Sequence, residues 1–118
     1  GLRVIHEMMQ SNTQLIASKE AWADPWKRRK IEQITMLLQG ALRAESLVGL
    51  KMNAPTSNLD AILKIVPSLN SPTISNLQDG RWVSLEIVID TSLVRDLIPK
   101  LVEAGAEGII EYPLNKVI

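Results

Sequence analysis

SPTISNLQDGRWVSLEIVI, residues 71–89, decides the fold. Ser71 to Leu77 reads as a strand, with Pro72 near its start, where a missing N–H is tolerable on a sheet edge. Asp79-Gly80 is a hairpin turn signal. From Trp82 to Ile89 the alternation has period two. Val83, Leu85, Ile87 and Ile89 point one way; Trp82, Ser84, Glu86 and Val88 point the other. The result is a hairpin with one apolar face and one mixed face.

Upstream, Val48, Leu50 and Met52 alternate with Leu47, Gly49, Lys51 and Asn53, which predicts a strand stopped by Pro55. Ser57 with Asp60 fits a capping box for a helix carrying Leu59, Ile62, Leu63 and Val66 on one face and ended by Pro67. Downstream, Thr91 is positioned to cap a helix that buries Leu93, Val94, Leu97, Ile98 and Leu101. Gly105 stands where a helix C-terminus wants a left-handed residue. Glu107 to Tyr112 is the last strand, terminated by Pro113. The order βαββαβ with right-handed crossovers predicts an α+β, ferredoxin-like domain over residues 46–118: a four-stranded antiparallel sheet with two helices on one face. The other face has no cover in the sequence, and half-apolar open faces tend to be functional or oligomeric. Trp82 on that face is read either as a partly exposed packing residue or as an interface residue.

Residues 1–45 read as a helix, a strand and a long helix from a truncated α/β domain. Leu2, Val4, Ile5, Met8 and Met9 recur at helical spacing over 2–10, and Leu15-Ile16-Ala17 reads as a short buried strand over 13–17. Asp24-Pro25 starts the long helix, with an N-cap carboxylate before a proline at the first position. Ile31, Ile34, Leu38, Ala41 and Leu42 form its apolar stripe to about Ala44. The run Lys27-Arg28-Arg29-Lys30 lies on its first turn, where cations oppose the helix dipole. It is read either as a solvated, salt-bridged face or as an anion site. Such a piece cannot close a core of its own and must pack on other elements or on a neighbouring chain.

The composition narrows the chemistry. Among 118 residues, 13 basic and 13 acidic side chains cancel, which argues against nucleic acid and anionic membrane partners. No cysteine is present, so disulfides, thiolate metal sites and cysteine nucleophiles are excluded. The single histidine, His6, cannot form a multi-histidine zinc site. Phosphate-loop, dinucleotide, zincin and serine-hydrolase motifs are absent, so no active site is expected in this chain. An RNA-recognition module has the same element order but stacks bases on strand aromatics; this chain has no Phe and a single Tyr. No signal peptide or membrane span is legible, which points to the cytoplasm. A chain that opens on Gly1 is read as a fragment or a processed product.

Several segments carry a family resemblance in order and spacing. They are Lys51-Met52-Asn53-Ala54-Pro55, Leu69-Asn70-Ser71-Pro72-Thr73-Ile74, Trp82-Val83, Leu97-Ile98-Pro99-Lys100-Leu101, Ala104-Gly105-Ala106-Glu107-Gly108-Ile109 and Tyr112-Pro113-Leu114. Ala21-Trp22-Ala23-Asp24-Pro25-Trp26-Lys27 precedes them. Together they resemble the C-terminal part of long-form ATP phosphoribosyltransferase, the first enzyme of histidine biosynthesis. The resemblance implies that residues 1–45 end a catalytic domain and that 46–118 form a regulatory domain. It implies a parent glycosyltransferase that joins ATP to phosphoribosyl pyrophosphate with Mg2+, giving phosphoribosyl-ATP and pyrophosphate. The substrate loops would lie upstream of Gly1, so this part alone would be inactive and would need no cofactor. L-Histidine would bind the regulatory domain and shift a hexamer, with a dimer as its minimal unit, to an inhibited state. Carried over by position, its site would involve Asn53, Leu69, Thr73, Val88 and the backbone at Gly108. Some relatives place an aspartate where Asn53 stands. The alternatives are a purely structural oligomerisation module and a sensor for a different small molecule.

Overall fold

The computed structural model describes residues 1–67 and 71–118. The chain divides into two compact units, Gly1–Met36 and Leu37–Ile118.

The second unit holds the sheet. Its strands are β1 (Leu47–Pro55), β2 (Thr73–Asn76), β3 (Trp82–Asp90) and β4 (Glu107–Pro113), in the order β2-β3-β1-β4 with every pairing antiparallel. This is the strand order of the ferredoxin-like arrangement. Alternation drives it: Val48, Leu50, Met52 and Ala54 of β1 and Val83, Leu85, Ile87 and Ile89 of β3 are all buried on one face. Onto that face pack Ile62 and Val66 from α3 (Leu59–Ile65) and its C-cap, and Val94, Leu97 and Leu101 from α4 (Thr91–Glu103). Leu93 departs from expectation and is largely exposed, while Ile98 packs against the core edge.

The helix caps are shifted from the predicted residues. No capping box forms at Ser57. A turn of 3-10 helix occupies Thr56–Asn58, Asn58 stands at the N-cap, and the Ser57 hydroxyl points at the Asn58 side chain. The cap of α4 is Asp90 rather than Thr91: its carboxylate accepts the Ser92 N–H at 2.8 Å and bonds the Ser92 hydroxyl. Asp90 is the last residue of β3, so its extended backbone already aims the carboxylate into the first helical turn. At the other end, Gly105 at φ 92° closes α4. Its N–H donates to the Val102 carbonyl and that of Ala106 to the Leu101 carbonyl, with Ala106 and Leu101 both buried. The Asn58 amide donates to the Ala104 carbonyl at 3.0 Å and ties the start of α3 to the end of α4.

The first unit contains α1 (Lys19–Ala23) and most of α2 (Pro25–Ala44). The helix expected over 2–10 and the strand expected over 13–17 do not form; residues 1–18 carry no regular structure and are exposed. A helix that short is marginal without a surface to bury its stripe, and a lone strand has no partner for its backbone. Asp24 caps α2 as predicted, its carboxylate accepting the N–H groups of Trp26 and Lys27 at 2.9 and 3.1 Å. The predicted stripe of α2 stays largely open, with Ile34, Leu38 and Leu42 exposed; the buried positions are Gly40 and Ala44.

Candidate functional site

The open face of the sheet follows from the register. β1 and β3 pair Gly49 with Val88, Lys51 with Glu86 and Asn53 with Ser84. β2 adds Thr73 opposite Glu86 and Ser75 opposite Ser84. β4 adds Tyr112 opposite Gly49 and Ile110 opposite Lys51. Residues that pair across strands share a face. One continuous row therefore reads Ile110, Lys51, Glu86, Thr73.

The register places the expected site residues in two groups. Val88 and Thr73 lie on neighbouring strands, one row apart. Asn53 lies at the far end of β1, opposite Ser84 on one side and Glu107 on the other. Gly108 follows Glu107 directly, at a β-bulge: between the pairs Asn53–Glu107 and Lys51–Ile110, β4 carries one more residue than β1. Gly108 absorbs it with a φ of 60°. Asn53 and Val88 are separated by four residues of strand, about 13 Å at the usual strand rise. Leu69 lies outside the described residues.

Between the two groups stands a contact that local sequence reading missed. The Tyr112 hydroxyl donates to the Glu86 carboxylate, and the phenol ring lies over Gly49, where a Cβ would overlap it. Tyr112 thus reaches from β4 across β1 to β3. The bond to Glu86, together with partial burial and the carboxylate's charge, pushes the phenol above its ordinary value of 10.0. The partners are 26 residues apart in sequence. Only the glycine in an otherwise side-chain-bearing strand signalled a close approach there.

Two of the four side chains in the basic run on α2, Arg28 and Lys30, make contacts within the first unit. The Arg28 guanidinium lies 4.6 Å from the Trp22 ring centre and pairs with Glu32 at 2.9 Å, and the Lys30 amine lies 5.9 Å from the Trp26 ring. These contacts favour the solvated, salt-bridged reading. An apolar hollow of about 570 Å³ in the first unit, lined by Leu15, Ile16, Trp22, Ala23 and Ile31 among others, involves none of the expected site residues. Among the described residues, no three His, Cys, Asp or Glu side chains gather as a metal would need. No described helix is long and apolar enough to cross a membrane.

Comparison with known proteins agrees with this architecture. The chain is 69% identical over 118 residues to an ATP phosphoribosyltransferase of Nitratidesulfovibrio vulgaris strain Miyazaki F. It is 61% identical over its whole length to an ATP phosphoribosyltransferase of Desulfatibacillum aliphaticivorans, and 55% identical over 117 residues to one of Prosthecochloris aestuarii. In each case it spans 40% of the relative's length. The family described as "HisG, C-terminal domain" matches residues 44–116, which include all four strands, α3 and α4. On that match the chain belongs to the HisG C-terminal domain family.

Proposed function

We propose that this chain is the regulatory part of an ATP phosphoribosyltransferase. Residues 46–118 bind L-histidine for feedback inhibition and support assembly of a hexamer from dimers; residues 1–45 end the catalytic domain. The parent enzyme joins ATP to phosphoribosyl pyrophosphate with Mg2+ in the cytoplasm, and this part is inactive alone. The observation that carries the reading is the uncovered sheet face. It is solvent-open and holds Thr73, Val88 and Asn53 on a folded scaffold, with Gly108 beside Asn53 at the bulge. The Thr73 hydroxyl suits a carboxylate or an amine, Val88 offers apolar lining, and the irregular backbone at Gly108 offers main-chain groups. The spacing of the two groups supports a site completed by a second copy. Inhibition is then a coupling free energy: histidine favours one assembled state, and that state binds substrates less productively.

The test is calorimetric titration of L-histidine, with other amino acids as controls and mass measured in the same buffer. Heat selective for histidine is expected. An assembled, folded sample that takes up no amino acid would favour the structural reading, which the exposed Ile110 and Val88 on the same face also support. Selective heat for another ligand would replace histidine.

A further inference from the structure

The two groups of site residues lack a negative charge: Asn53 is a neutral amide, Thr73 a hydroxyl, Val88 and Gly108 uncharged. An amino acid's α-ammonium is a full cation, and its strongest partner is a carboxylate held in place. The structure puts one between the groups. Glu86 is directly opposite Thr73 on β2 and Lys51 on β1, at the centre of the open face, and its side chain is exposed. Among the described residues neither Glu86 nor Lys51 makes an ion pair, although they face each other across the strands. Glu86 is instead held by the Tyr112 hydroxyl through Oε1. That bond restrains the rotamers of an otherwise mobile glutamate, so less freedom is lost when a ligand arrives. Lys51, one strand over, is the cation available to the ligand's carboxylate.

We propose that Glu86 is the receptor for the ligand's ammonium group and that Tyr112 is the residue that positions it. The inference deepens the amino-acid-binding reading and rests on it. It names a residue that position-by-position carry-over omitted, and it supplies the charge that the amide of Asn53 does not.

The experiment is calorimetry on the full-length protein with two probes: L-histidine, and imidazolepropionic acid, which lacks only the ammonium. Glu86→Gln is expected to weaken histidine about tenfold or more, the scale of a lost charge-assisted contact, and to leave imidazolepropionate affinity unchanged. Glu86→Asp, which keeps the charge, recovers part of the loss. Tyr112→Phe weakens histidine by about threefold, the lower end expected for one hydrogen bond. Equal histidine affinity in wild type and Glu86→Gln overturns the inference while the binding reading stands. Equal losses for both probes overturn it too, since they would mark a structural role. A wild-type protein that takes up no histidine removes the binding reading itself. Melting curves of each variant, expected within a few degrees of wild type because Glu86 is exposed, guard against misfolding.

Discussion

Tyr112 is the only tyrosine, so its ionisation can be followed without ambiguity. Its phenol is raised above 10.0 first by the bond to Glu86. A group raised in the folded state contributes stability that is complete below its unfolded value and is lost as pH rises through the folded one. Phenolate absorbance should therefore titrate above pH 10 in the wild type and move down towards 10.0 in Glu86→Gln; an unchanged midpoint would show that the bond does not persist in solution. The neighbouring glycine makes a second prediction. A methyl at Gly49 would overlap the Tyr112 ring, so Gly49→Ala should destabilise by about 1–3 kcal/mol, the usual cost of overpacking. Adding Tyr112→Ala should cost less than the sum of the two single changes, as measured by denaturant unfolding. Residue by residue, legibility was uneven. Thr73 and Val88 could be assigned to strands from alternation, but Glu86 looked like any exposed strand carboxylate until the register brought Tyr112 to it.

Strands were the most legible elements, because one buried face imposes a period that few other constraints disturb. Val83 to Ile89 follow it throughout, and Val48 to Met52 break it only at Gly49, which is buried under the Tyr112 ring. Cap positions were less so. Asp90 and Asn58 each stand one residue from the predicted cap, because a cap depends on where the preceding backbone leaves its extended or turn conformation, which the residue type alone does not say. The Asp90 cap makes a pH prediction. Bonds to the Ser92 hydroxyl and N–H hold its carboxyl below the ordinary 3.8. A depressed carboxyl contributes stability that is present above the unfolded value and is lost as pH falls through the folded one. Asp90→Asn should thus melt below wild type at neutral pH, and the two curves should converge as the buffer is taken below pH 3.8. A gap that stayed constant with pH would assign the cap's effect to geometry rather than charge. The segment over 2–17 was misread because periodicity reports only a tendency: Leu2, Val4, Ile5, Met8 and Met9 have the spacing of a helix but no surface to cover.

At the scale of the whole chain, every residue of the hydrophobic core cluster lies between Val48 and Ala106. The Val117 N–H also donates to the Gly40 carbonyl at 3.0 Å, inside the same unit. A chain of residues 37–118 is therefore expected to unfold cooperatively, with a melting temperature within a few degrees of the longer chain's, by calorimetry; a broad, non-cooperative melt would show that residues 1–36 contribute to its stability. The bond from the Asn58 amide to the Ala104 carbonyl spans 46 residues of sequence. It cannot form until α3 has docked and the last turn of α4 has been laid down. The hairpin of β2 and β3, by contrast, closes over a short turn. If the Asn58 clasp closes after the barrier, Asn58→Ala is expected to speed unfolding far more than it slows refolding, and a chevron that loses its folding arm instead would place the clasp in the transition state.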